Sequence, residues 1–176
     1  VIVLAEIAMA AVLFLLFCTV SRTAMLVSAL ARAAQAVVMA VNVVFLAALL
    51  AILDPTLDAG SVPPGDRSAL VLLLFEVHAY GVHVGQVLFG SSLVLLGLVV
   101  RRSAMVPEFL GTLAALAGAG YLADSVASLV VPAAADATSV VVVVLALAGE
   151  LPLFVWLLLR GVVVPQPISP TEGWTR

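Results

Sequence analysis

The stretch ALVLLLFEVHAYGVHVGQVLFGSSLVLLGLVV, residues 69–100, is apolar throughout except for Glu76, His78, Tyr80, His83, Gln86 and two serines. A bilayer hydrocarbon core is roughly 30 Å thick and takes about 20 apolar residues to cross as a helix. The stretch is therefore longer than one crossing needs and too short for two crossings with a turn between them. A single tilted helix, or one whose first turns project past the lipid, satisfies both limits.

Four more apolar runs flank it. The first covers about 1–20 and is closed by Ser21-Arg22-Thr23, and the second covers about 24–53. Between the second run and 69–100 lies Asp54-Pro55 through Pro63-Pro64-Gly65-Asp66-Arg67, whose prolines and acids end a helix. After Arg101-Arg102-Ser103 and Pro107 come runs at 109–131 and 139–160, separated by a loop from Pro132. Val140 to Val144 are β-branched, yet helix is the better reading, because lipid leaves an open strand edge unpaired. The expected fold class is all-α: a polytopic transmembrane bundle of five spans forming one domain over 1–161, with a Pro-rich cytoplasmic tail at 162–176. The chain opens at Val1 inside an apolar run without a basic leader, so the first segment reads as a mature span.

Composition agrees. Hydrophobic residues make up 65% and charged residues 10% of the chain, far from a water-soluble domain. All seven basic residues are arginines, so no basic run offers a footprint for nucleic acid. The lone Cys18 rules out an intramolecular disulfide and a paired-cysteine metal site. If the five runs alternate across the membrane, Arg22, Arg101, Arg102, Arg160 and Arg176 share one side. Arg67 falls on the other side with Asp54, Asp58, Asp66 and Asp136. The excess of arginine marks the cytoplasmic face and puts the C-terminus inside.

Polar residues within the runs are the candidates for chemistry, because charges in lipid are costly and turn toward partners or wet cavities. Glu76, Tyr80 and His83 stand at i, i+4 and i+7, on one helical face, with Gln86 at its edge and His78 nearly opposite. Tyr121, Asp124 and Ser128 form a second stripe. Glu150 precedes Pro152, which removes an amide donor and can bend its helix. With Glu6 in the first run, these side chains are expected to converge on one outward-facing polar pocket. Arg32, Gln35 and Asn42 share a face of the second run. Arg32 is expected either to snorkel to the inner surface or to pair with a carboxylate such as Glu150, with Gln35 and Asn42 as interhelical hydrogen-bond glue. Small residues, Gly111, Ala115 and Gly118 on one run and Gly90, Ser91 and Gly97 on another, favour close helix contact.

Several ordered motifs resemble a known family. They are Phe75-Glu76-Val77-His78-Ala79-Tyr80-Gly81, Leu88-Phe89-Gly90, Arg102-Ser103, Pro107, Leu110-Gly111, Gly118, Gly120-Tyr121-Leu122 with Asp124-Ser125, and Gly149-Glu150 ahead of Leu157-Leu158. Together they are similar to the bacterial polytopic membrane family called domain of unknown function four-three-eight-six. The resemblance implies a six-helix protein of the bacterial inner membrane, hence a further helix upstream of Val1, and implies no particular reaction.

There is no H-E-x-x-H, nucleophile elbow or P-loop, so the primary expectation is a non-catalytic structural or accessory subunit of a membrane complex. Its partners would be the lipid bilayer and other membrane subunits. One alternative is a small proton-coupled transporter that uses the acid and histidine pocket. Another is a haem-, pigment- or metal-binding protein using His83 or His78, although zinc wants three or four protein ligands and the two histidines face apart. The identity of any cofactor stays open.

Overall fold

The computed structural model describes residues 1–54, 63–130 and 135–160, all of whose regular structure is helical. Five helices follow in order: α1 (Ile2–Phe17), α2 (Arg22–Leu53), α3 (Pro64–Arg102), α4 (Glu108–Val130) and α5 (Ala135–Arg160). Asp58, the side chain of Asp136, residues 131–134 and the tail 162–176 lie outside the described residues; the expected loop at 132–138 is shorter than its sequence suggests, because α5 begins at Ala135.

Local chemistry explains the boundaries. Pro64 opens α3 at a position where its missing amide is not needed, and Asp66 sits in that first turn near the positive end of the helix dipole. Arg101 and Arg102 occupy the last turn of α3, and Arg160 the last turn of α5, where cations offset the exposed carbonyls. Pro152 lies inside α5, which continues through it as one helix.

Length tells the helices apart. Helices α2 to α5 are each long and apolar enough to cross a membrane, whereas α1, at 16 residues, spans about 24 Å. With 39 residues α3 rises about 58 Å, well over the span of a hydrocarbon core, and its first third is largely exposed. Large apolar side chains such as Leu30, Val37, Val41 and Val44 on α2 and Val140, Val144 and Leu151 on α5 are exposed. An apolar surface that extensive is what a helix shows to lipid rather than to water.

Each helix packs chiefly on its neighbours in sequence, α1 on α2, α2 on α3, α3 on α4 and α4 on α5. The tightest crossing is α3 on α4, where glycines bring the backbones into contact. A Cβ on Gly97 would sit 2.5 Å from the Gly111 carbonyl oxygen, and one on Gly118 would sit 2.7 Å from that of Gly90. Dispersion between closely apposed backbones replaces the hydrophobic drive that lipid removes. The small residues at 90, 97, 111 and 118 thus face each other in two pairs one heptad apart.

The apolar core gathers at the arginine-bearing end. Leu13 and Phe17 of α1, Met25 of α2, Leu93, Leu96, Val99 and Val100 of α3, Leu110 and Ala114 of α4 and Leu153 of α5 belong to one buried cluster there. Beyond it, toward the other end, the buried positions turn polar: Arg32 and Asn42 on α2, and Asp124, Ser125 and Ser128 on α4.

Candidate functional site

Helical spacing selects which side chains of α2 face inward. Its buried residues are Met25, Ser28, Arg32, Ala36 and Asn42, a stripe that keeps to the 3.6-residue repeat. Arg32 lies ten positions beyond Arg22, and hence about 15 Å into the bundle from the arginine-bearing end. It is only 2% exposed and does not reach the surface.

Its partners come from other helices. Nη1 donates to Glu6 Oε2 of α1 at 3.0 Å, forming a buried ion pair. The guanidinium carbon stands 4.6 Å from the centre of the Phe89 ring on α3. Phe89 in turn meets Tyr121 of α4 edge to face, with centroids 5.1 Å apart. Glu150 of α5 lies beside Tyr121 and within electrostatic range of both Arg32 and Glu6. Five helices therefore contribute one side chain each to a single centre: Glu6, Arg32, Phe89, Tyr121 and Glu150.

The centre is incompletely satisfied. Nε and Nη2 of Arg32, Oε1 of Gln35 and Oε1 of Glu150 are buried and make no hydrogen bond among the described residues. Buried polar atoms in native proteins are almost always paired, by protein or by water, and these four are the exceptions at the centre. A cleft of ≈ 230 Å³ opens beside it, walled by Glu6, Gln35, Met39, Gln86, Phe89 and Tyr121 among others.

A second hydrogen-bonded group leads from this cleft toward the far end of the bundle. Gln86 Oε1 accepts from the Ser125 hydroxyl at 3.3 Å and lies 3.0 Å from His83 Nδ1. Ser125 also stands 2.8 Å from the Tyr121 carbonyl oxygen. One turn on, Asp124 is 3% exposed with Oδ1 unpaired among the described residues, and the Ser128 hydroxyl is likewise buried and unpaired.

Of the polar side chains that periodicity singles out, the structure gathers Glu6, Arg32, Gln35, Gln86, Tyr121 and Glu150 at or around one cleft, and links His83 to it through Gln86. Asp124 and Ser128 lie buried a turn or two beyond. Glu76 and Tyr80 are exposed and take no part. Arg32 pairs with Glu6 directly and keeps Glu150 within electrostatic range. Asn42 donates from Nδ2 to the His78 carbonyl oxygen at 3.0 Å, while His78 Nδ1 lies 3.3 Å from the Asn42 carbonyl oxygen. His78 and His83 therefore serve different helix contacts. No group of three His, Cys, Asp or Glu side chains placed to hold a metal occurs among the described residues. Phe89 is the one contributor that sequence reasoning passes over, because an aromatic residue in an apolar run carries no signal of its own.

The profile of one family matches residues 1–161, a range that includes all five described helices. The chain belongs to the family described as Domain of unknown function (DUF4386). Membership agrees with the helices: this is a multi-pass membrane protein of a family whose name assigns no activity. No curated protein matches the chain, and no solved structure does.

Proposed function

We propose that this DUF4386 protein is a non-catalytic structural or accessory component of the bacterial inner membrane, with all five helices crossing the bilayer as one domain and the C-terminus in the cytoplasm. The observation that carries the reading is the Arg32 centre. Its charged and aromatic groups come from all five helices and are spent largely on one another, which is how a bundle without a hydrophobic drive fixes its packing. If Arg22, Arg101, Arg102 and Arg160 mark the cytoplasmic boundary, the centre lies near mid-bilayer, where an unpaired charge is most costly. The broad apolar faces of α2 and α5 then serve lipid and a neighbouring membrane subunit.

Two experiments test this reading. Cys18, the only cysteine, follows α1 at the arginine-bearing end. A membrane-impermeant maleimide should label it in inverted vesicles and leave it untouched in intact spheroplasts; the reverse pattern overturns the orientation. Extraction in a mild detergent should recover the chain with a fixed membrane partner, and a lone protomer under every mild condition refutes the accessory role.

A second reading, a small proton-coupled carrier, is favoured by one feature that packing alone does not require: the cleft beside unpaired buried polar atoms. It predicts that Glu150→Gln abolishes proton-coupled flux in proteoliposomes, and unchanged flux would count against Glu150 in that role.

A further inference from the structure

We propose that the groove between α4 and α5 at the arginine-bearing end holds an anionic phospholipid, with its phosphate on Arg160 and an acyl chain along α5. The groove measures ≈ 300 Å³ and is walled by Pro152, Val155, Trp156 and Leu159 of α5 with Phe109 and Leu110 of α4. Leu110 is buried, whereas Val155, Leu159 and Phe109 are exposed. Arg160, at the end of α5, is the one charged side chain in the lining among the described residues. It lies eight positions beyond Pro152, about 12 Å along the helix. Apolar surface therefore leads inward from a single cation, which is the order of head and tail in a phospholipid beside a spanning helix.

Packing leaves that cation open to a ligand. A Cβ on Gly149 would meet Leu113 and Ala117 of α4, so the antiparallel pair sets Trp156 level with Glu108. The last turn of α5 then runs past the start of α4, and Arg160 is exposed. Among the described residues no carboxylate competes for it. Glu108, the acid at this end, bonds Arg101 of α3 and does not line the groove. The last carbonyls of α5 carry about half a negative charge, which a full guanidinium charge outweighs.

The side chains of the lining select an acceptor. Arg160 offers five N–H donors and Trp156 one indole N–H, and neither side chain accepts. They stand at i and i+4, on one side of α5. A guanidinium binds phosphate through paired N–H···O bonds, and indole rings favour the headgroup level of a membrane. Arg22, Arg101 and Arg102 at the same end give the surrounding surface the same sign. By contrast, the larger groove where α5 faces α1, ≈ 600 Å³, is lined by apolar residues such as Met9, Val12 and Phe154, so it distinguishes no headgroup. The site rests on α5 crossing the bilayer, as proposed above, and on neither the accessory nor the carrier role.

Trp156 makes the groove measurable, because bromine on a neighbouring acyl chain quenches indole fluorescence. Trp174→Phe leaves Trp156 as the only tryptophan. The full chain with that change is placed in vesicles of phosphatidylcholine and phosphatidylglycerol at one fixed composition, with bromine near the head end of the chains of one lipid or the other. Brominated phosphatidylglycerol should occupy the groove about fivefold more readily than an equal fraction of brominated phosphatidylcholine, the preference that one basic residue gives near a membrane surface. Arg160→Gln should bring the ratio below about twofold, whereas Arg102→Gln, an equal charge lost outside the groove, should leave it above about threefold. Val155→Phe fills the groove, keeps every charge in place and should also bring the ratio below about twofold. Equal quenching by the two lipids, an unchanged ratio in Arg160→Gln or Val155→Phe, or equal losses in Arg160→Gln and Arg102→Gln overturns the proposal and leaves α5 in the bilayer. Absence of quenching by either lipid overturns the crossing of α5 and the proposal with it.

Discussion

Replacing Arg32 by Met tests the centre of the bundle. Methionine keeps most of the stem and removes the guanidinium, so packing changes little while the charge is lost. Breaking a buried ion pair from one side costs about 3–5 kcal/mol, because the other charge is left uncompensated. Here two features lower the cost. Glu6 is 22% exposed and recovers some solvation, and the variant removes Arg32 Nε and Nη2, two buried donors without partners among the described residues. Against that, the cation lying 4.6 Å from the Phe89 ring is lost, a contact worth about 2 kcal/mol when desolvated. The balance is a loss of about 3 kcal/mol.

Glu6→Gln should cost about 2 kcal/mol, because the amide oxygen still accepts from Nη1 and Glu150 remains near the cation. In the double variant neither charge of the pair is left stranded, so it should lose only about 2 kcal/mol where simple addition gives about 5, a coupling of about 3 kcal/mol. Reversible unfolding in mixed micelles, followed by far-ultraviolet circular dichroism, measures all three. If the single losses add to within about 0.5 kcal/mol, the two side chains do not act as a pair and the account of the centre is wrong.

Other perturbations read other parts of the bundle. Gly97→Val places a side chain against the Gly111 carbonyl oxygen and the Ala115 backbone, which cannot yield as a flexible side chain does, so a loss of at least about 3 kcal/mol is expected; unaltered stability would mean the helices are further apart. Ser28→Ala removes a hydroxyl 2.9 Å from both the Ser92 carbonyl oxygen and hydroxyl, and should cost about 0.6 kcal/mol, the average for such contacts in membranes. Asp124→Asn keeps the shape of a buried acid that has no cationic partner among the described residues; it should leave stability unchanged or raise it by about 1 kcal/mol, and a marked loss would reveal a partner.

The helices were legible because lipid enforces two rules at once, backbone self-satisfaction and a minimum apolar length. Each apolar run accordingly became a helix, with α3 extending from Pro64 to Arg102 beyond the run that announces it. The glycine crossing was legible only as composition. Gly90, Gly97, Gly111 and Gly118 stand out as small residues, but nothing along the chain says that 90 meets 118 and 97 meets 111; that register is a property of two helices together.

Side-chain grouping shows where one-dimensional periodicity stops. The stripe Glu76, Tyr80, His83 is a sound statement about one helix, and the structure splits it: Glu76 and Tyr80 are exposed, while His83 turns to Gln86. For Glu76 the reason is length, because a helix rising about 58 Å runs its first turns past α4, whose 23 residues rise about 35 Å. Tyr80 stands level with the last turn of α4 and is exposed because of the face it occupies, beside His78 and Gly81, which meet Asn42. The choice of Glu6 over Glu150 as the ion-pair partner of Arg32 has the same origin. Both acids lie at a similar depth, eleven or ten positions from the arginine-bearing end of their helices, and depth is all that sequence supplies. Which of them reaches Nη1 is decided by packing order. Helix α1 lies directly on α2, whereas α5 lies on α4, so Glu6 faces the guanidinium across one helix contact and Glu150 meets Tyr121 first.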